Sequence, residues 1–334
     1  MKQRIGSVLL LLVLVVGLVG CSFSFSEGDA SLSSTGAVVT LKFGNGTEDR
    51  TVRLSFGDRM PTPAAPEKDG WLFRGWYTDD ACTKPYDFSL AVRGSLTLYA
   101  GYLPDYEKWT NRLTETVIPS LVLVRTKTLA GGVAGVKTGS GIVIRTEEDS
   151  QGAIYYILTN NHVVSDAAPY ALSPFQVKDY RGDDTYQKIS LVARSEEYDL
   201  AVLQVRGASA AKYTLPAIRF ASANAAAGEA IAALGQPGGQ RNALTFGHAL
   251  EYRLPQASAN GTGEVAVTFP VLYHSAPITN GSSGGAVVNY AGELAAVNFA
   301  GMFSEDGTFR AGIGVPIERV LIFLRAIPAL SGKF

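Results

Sequence analysis

The chain has 334 residues, enough for two or three domains, and 46% of them are hydrophobic, enough for a sizeable core. Its 29 basic and 30 acidic residues nearly cancel, which leaves no overall electrostatic footprint for nucleic acid. Thirty-six glycines, with short recurring runs of β-branched and aromatic residues, predict a mainly β protein with many turns.

The chain begins "MKQRIGSVLLLLVLVVGLVGC". Lys2 and Arg4 give a basic start, and the run from Ile5 to Val19 is apolar apart from Gly6, Ser7 and Gly17. Such a length lies between the core of an export signal and a short membrane span, so a cleaved leader and an uncleaved anchor both fit. Leu18 to Cys21, "LVGC", resembles the bacterial lipobox. That resemblance implies a lipoprotein signal peptide over 1–20, a lipidated Cys21, and an exported protein tethered to a membrane of the cell envelope. Several acyl chains on one residue anchor stably where one chain does not. Loss of Lys2 and Arg4 with the leader leaves 27 basic residues against 30 acidic, a net charge of −3. With Cys21 lipidated, Cys82 has no partner for an intramolecular disulfide, and a core of this size needs none. After Cys21 the serine- and glycine-rich stretch to residue 37 reads as a flexible spacer.

Residues 38–103 read as a small β module. "AVVTLKF" alternates as a strand does, "GNGT" signals a tight turn, and "TVRLSF" is the return strand. A Pro-rich approach leads to Gly70, Phe73, Gly75, Trp76 and Tyr77, and "TLYA" closes the unit at Thr97 to Ala100. This pattern resembles the Listeria–Bacteroides surface repeat, with Tyr102 where that repeat usually ends on Trp. The resemblance implies a β-grasp-like module of bacterial surface proteins. Its aromatics Trp71, Phe73 and Trp76 serve either as its core or as a binding face.

The remainder, 104–334, opens with helical spacing in "LPDYEKWTNRLTETVIPSLV" and continues as many short apolar runs between turns. No long helix separates those runs, which argues against a parallel α/β sheet and for a barrel or sandwich. "PIERVLIFLRAI", with Pro316 at its start, predicts a C-terminal helix.

Candidate chemistry lies in this section. A serine hydroxyl is a weak nucleophile until a base takes its proton, and histidine is the usual base. His162 ends an apolar strand in "YILTNNHVVSD". Asp199, in "SEEYDLAVLQV", stands where a charged loop enters an apolar strand, a costly place for an unpaired carboxylate. "ITNGSSGGAVVN" offers Ser283 between glycines. Its "GSSGG" fits both a G-x-S-G-G loop and a G-x-S-x-G nucleophile elbow. The elbow of α/β-hydrolases needs a histidine after the serine, and none follows Ser283. The order His162, Asp199, Ser283 is instead that of chymotrypsin-like double β-barrels. Gly281 lets its own N–H and that of Ser283 converge, as an oxyanion hole requires.

Together "TGSGIVI", "ILTNNHVV", "YDLAVLQV", "ALGQPGG", "ITNGSSGGAVVN", "GELAAVNFA" and "GIGVPIERV" resemble the HtrA-like (Deg) branch of trypsin-like serine proteases over about residues 112–327. The resemblance implies His162 as general base, Asp199 as orienting acid, Ser283 as nucleophile and Gly281 and Ser283 as oxyanion-hole donors. Ser282 stands where that family often has Asn. The chain stops after its helix, where family members often continue into a PDZ domain, so neither an oligomer nor PDZ-type activation is implied. The expected activity is a serine endopeptidase acting on exported, unfolded or misfolded polypeptides, without metal or organic cofactor. Ile278, Thr279, Asn298, Phe299 and Ala300 are expected to bind substrate, in an apolar pocket suited to small or medium apolar residues. A surface binding lipoprotein using its repeat module, and a holdase using the cleft without turnover, are the alternatives.

Overall fold

The computed structural model describes residues 36–168, 174–182, 187–207, 214–255 and 267–334. The leader, Cys21 and the spacer up to residue 35 lie outside these. The described chain forms two compact units, residues 36–66 with 75–101, and residues 67–74 with 102–334.

In the first unit, strand β1 (Ala37–Lys42) buries alternate residues, Ala37, Val39 and Leu41, as a period of two requires. The "GNGT" turn bends the chain with Gly46 at φ 91°, and Asn45 Oδ1 accepts from the Thr47 N–H at 3.0 Å. Strand β2 (Arg50–Leu54) returns antiparallel, Val39 facing Val52. Strand β3 (Trp71–Tyr77) and strand β4 (Leu96–Pro104) complete a sheet of order β2-β1-β4-β3, with β1 and β4 parallel and Leu41 beside Leu98. Trp76 is buried, its ring edge-on to Phe43 at 5.6 Å, so it serves as core and not as an exposed binding face. Residues 67–74, which include the start of β3, group with the second unit. Trp71 there meets the Tyr290 ring at 4.6 Å.

The second unit starts with helix α1 (Tyr106–Thr116). Asp105 caps it by accepting the Lys108 N–H, and Trp109 and Leu113 are fully buried. Six strands follow: β5 (Leu121–Ala130), β6 (Val133–Asp149), β7 (Gly152–Thr159), β8 (Phe175–Asp179), β9 (Gln187–Ser195) and β10 (Leu200–Arg206). A four-residue helix α2 (Asn161–Val164) interrupts them after β7. They hydrogen-bond in the order β8-β5-β6-β7-β10-β9. Among the described residues no ladder joins β8 to β9.

The other half is a closed barrel in the order β11-β12-β13-β16-β15-β14. Its strands are β11 (Ala230–Gly235), β12 (Ala243–Arg253), β13 (Val271–His274), β14 (Ala286–Asn289), β15 (Leu294–Phe303) and β16 (Phe309–Pro316). Closure removes every sheet edge. Helix α3 (Ile317–Arg325) begins directly after Pro316 and buries Ile317, Val320, Phe323 and Leu324, spaced as one face of a helix. The protein is thus mainly β, a chymotrypsin-like pairing of two six-stranded halves with a C-terminal helix and a small N-terminal β module. Among the described residues no helix is long and apolar enough to cross a membrane.

Candidate active site

The base and acid expected from the sequence come together. The apolar strand β7 ends at Thr159, and α2 turns His162 out, its side chain 46% exposed. Asp199 precedes β10 with φ 48°, an uncommon conformation for a residue with a Cβ. Several bonds hold it there. Its carbonyl accepts from Asn161 N–H at 3.1 Å and from Asn160 Nδ2 at 2.9 Å. Its carboxylate grips His162 at two points, Oδ1 accepting the backbone N–H at 2.9 Å and Oδ2 lying 2.7 Å from the ring Nδ1. An ionised carboxylate only accepts, so Nδ1 carries the proton and Nε2 keeps a free lone pair. That tautomer is the one a general base needs.

The serine loop sits between β6 and β15. Ser140 N–H donates to Ser283 O at 2.7 Å, and Ser283 Oγ donates weakly to Phe299 O at 3.4 Å. A Cβ on Gly139 would strike the Val163 side chain at 2.6 Å and lie 3.1 Å from Ser283 O. The missing side chain at Gly139 thus lets the His162 turn and the Ser283 loop approach the same strand. No hydrogen bond joins Ser283 Oγ to the His162 ring in this arrangement. Rotation about the serine Cα–Cβ bond is the movement that redirects the hydroxyl, and catalytic hydrogen bonds commonly tighten only with substrate bound.

Gly281 adopts φ 92°, and a Cβ there would lie 2.7 Å from Gly238 N. The Gly238 N–H donates to Asn280 O at 2.8 Å. In a trans peptide N–H and C=O point oppositely, so this bond fixes the direction of the Gly281 N–H. Among the described residues the N–H groups of Gly281 and Ser283 have no acceptor. They are free to donate to an anionic oxygen.

Of the expected substrate-binding residues, Ile278 and Ala300 are half-buried and Thr279 is exposed. Asn298 and Phe299 are 1% and 6% exposed, their side chains turned into the interior. Asn298 braces the serine loop through its backbone, its carbonyl accepting from Gly284 N–H and its N–H donating to Gly285 O. Its side-chain Oδ1 accepts from His274 Nε2 at 2.9 Å. His274 is fully buried. Burial pushes its imidazole down to about 4, against the opposing hydrogen bond to Asn298. It is neutral at pH 7. His248 is exposed on β12 and stands apart from this chemistry.

Three residues were missed from the sequence. Lys137 Nζ donates to His162 O at 3.1 Å and to Ser165 and Asp166, bracing α2. Gly238 orients the Asn280–Gly281 peptide. Ser140, fully buried, donates its hydroxyl to Gly281 O at 2.7 Å and accepts the Gln236 N–H, while its carbonyl accepts from Thr159 Oγ1. The signal for Ser140 was "TGSGIVI", a polar residue between two glycines inside an apolar strand.

Residues 139–297 match the family model of the Trypsin-like peptidase domain, and 39–101 match that of the Listeria-Bacteroides repeat domain. The chain is 31% identical over 181 residues to the serine protease Do-like HtrB of Bacillus subtilis, covering 54% of this chain and 36% of that protein. It is 30% identical over 183 residues to the periplasmic serine endoprotease DegP of Escherichia coli, covering 54% and 34%. It thus spans about a third of the length of these curated relatives. Among solved structures, the active form of the Rv3671c protease of M. tuberculosis superposes with a TM-score of 0.51 at 23% identity, over 67% of this chain and 88% of that one. An HtrA-type protease, AlgW with a tripeptide, gives 0.51 at 24%, over 67% and 64%. The second unit therefore has the trypsin-like peptidase fold, similar to HtrA-type proteases, and the matched stretch contains His162, Asp199 and Ser283 together.

Proposed function

We propose that the chain is a serine endopeptidase. Ser283 attacks the peptide carbonyl, and His162 takes the hydroxyl proton on Nε2 and returns it to the leaving amine. Asp199 holds the tautomer and stabilises the imidazolium. The Gly281 and Ser283 N–H groups receive the oxyanion, each commonly worth about 3 kcal/mol. Water then hydrolyses the acyl-enzyme. The observation that carries this reading is the two-point grip of Asp199 on His162, beside a serine loop whose two N–H groups are unengaged.

Substrates are exported polypeptides, unfolded or misfolded, with small or medium apolar residues before the cleaved bond. Ile278, Thr279 and Ala300 supply side chains to that pocket, and Asn298 and Phe299 supply backbone. The protein is exported and held at a cell-envelope membrane through lipidated Cys21, and the 38–103 module is an accessory surface domain. A fluorophosphonate probe tests the chemistry. The mature chain is expected to label and its Ser283→Ala variant is not; an unlabelled parent chain would refute the reading.

One observation favours a second reading. Ser283 Oγ faces Phe299 O instead of the imidazole, as it would in a barrel that is idle while the repeat module binds a partner. A chain that never labels, with or without a denatured casein substrate, would support that reading; protection of casein from aggregation without cleavage would support a holdase.

A further inference from the structure

Cations gather beside the candidate site even though charge is balanced overall. On β5, Arg125 and Lys127 are two residues apart and so share one face. On β8, Lys178 pairs with Leu123, two residues before Arg125 on the same face. Two cavities open on this face, about 340 Å³ and about 570 Å³, and Arg125 lines both. The smaller also receives Lys178, Arg181 and Arg241; the larger receives Lys127. Among the described residues lining either cavity, Asp179 is the one carboxylate. It is 1% exposed and accepts the Arg181 N–H at 2.8 Å. Arg241 donates to Arg181 O, which fixes its head at the rim. Among the described residues neither Arg125 nor Lys127 is held in an ion pair. Those two like charges on one face repel one another, and an anion relieves that cost.

Position gives the strip its meaning. Thr138, which lines the larger cavity, precedes Gly139, where the His162 turn and the Ser283 loop meet. Gly239, which lines the smaller, follows Gly238, whose N–H orients the Asn280–Gly281 peptide. Ser283 itself lies between β6, through Ser140, and β15, through Phe299. If the acyl portion of a substrate lies along Phe299 and Ala300, the departing portion leaves past β6, over these cations.

We propose that the Arg125–Lys127–Lys178–Arg241 strip binds an acidic stretch of the polypeptide substrate on the leaving-group side of the cleaved bond. The inference rests on the endopeptidase reading for its orientation, and on the charge arrangement alone for its anion preference. It selects substrates by carboxylates several residues beyond the bond, while the apolar pocket reads the residue before it.

The Ser283→Ala full chain, titrated by fluorescence anisotropy with two labelled peptides of equal length and apolar content, tests it. One peptide carries a run of Asp and Glu, the other Asn and Gln. The acidic peptide is expected to bind at least tenfold tighter, with the gap closing as salt shortens the screening length. Arg125→Glu with Lys127→Glu is expected to abolish the gap; Arg125→Gln with Lys127→Gln, a milder change should the reversal unfold the chain, to reduce it several-fold. Lys108→Glu, remote on α1, is expected to leave it intact. Equal binding of the two peptides, or an unchanged gap in folded Arg125 and Lys127 variants, would overturn the proposal. So would a single-stranded oligonucleotide that outcompetes the acidic peptide for the same residues. Quenched substrates with the acidic run on either side of the cleaved bond test the orientation: a higher kcat/KM only for the leaving-side run supports it, and equal values refute it. Fluorophosphonate labelling separates the two claims. No labelling with acidic-peptide binding retained refutes the endopeptidase alone; labelling without a binding gap refutes the strip alone.

Discussion

His274 shows how one buried side chain sets a pH limit. Asn298 Oδ1 can only accept, so Nε2 holds the proton in the interior. The group titrates at about 4 when folded, against 6.5 for the ordinary imidazole. Between those values the unfolded chain binds a proton that the folded one refuses, so stability falls as pH drops from 6.5 towards 4. The full loss is on the order of 3 kcal/mol, at 1.36 kcal/mol per pH unit. Chemical denaturation at pH 7.5 and pH 4.5 is expected to show this loss in the parent chain and a smaller one in His274→Gln. An equal pH response in both would count against it. The residue was visible in the sequence, nine positions before Ser283, but nothing in the letters shows whether an imidazole faces solvent or an asparagine.

At the scale of elements, the loop "NGSSGG" is set by two neighbouring backbones. At Gly281 the backbone already sits at φ 92°, which a Cβ disfavours, and a Cβ would lie 2.7 Å from Gly238 N; at Gly284 it would strike Ser140 O. Gly281→Ala is therefore expected to shift the peptide and take away one oxyanion donor. A fall in kcat of roughly 10²–10³-fold with little change in KM follows if the donor acts only in the transition state. A loss confined to KM would instead point to substrate docking. Strand ends and the glycine-rich loop were legible because each is a local pattern, and the order His162, Asp199, Ser283 because it is read directly along the chain. Ser140, Lys137 and Gly238 were not, because their roles exist only after distant strands pair. The inward turn of Asn298 was hidden for the same reason, since the two faces of a strand flanked by other strands are both apolar.

Over the whole molecule, net charge misled most. A balance of 29 to 30 describes a sum, and the fold collects Arg125, Lys127, Lys178, Arg181 and Arg241 on one face of a nearly neutral chain. The fold class was legible from many short apolar runs without intervening helices. The grouping of residues 67–74 with the second unit was not, because Trp71 reads equally well as core of the small module. The lipid anchor is a claim about the full chain. Cys21→Ser is expected to move the protein from the membrane fraction to the soluble exported fraction without altering fluorophosphonate labelling. Retention in the membrane fraction would favour an uncleaved N-terminal span.

Ser140 carries a consequence for how the protein comes alive. One residue of the first six-stranded half touches the carbonyls of both Gly281 and Ser283, the start of the turn at Gln236, and the strand that delivers His162. The loop that carries the reactive alcohol is therefore braced from both halves. On the proposed reading, a chain that has not yet folded lacks this brace and stays chemically silent until the two halves have docked.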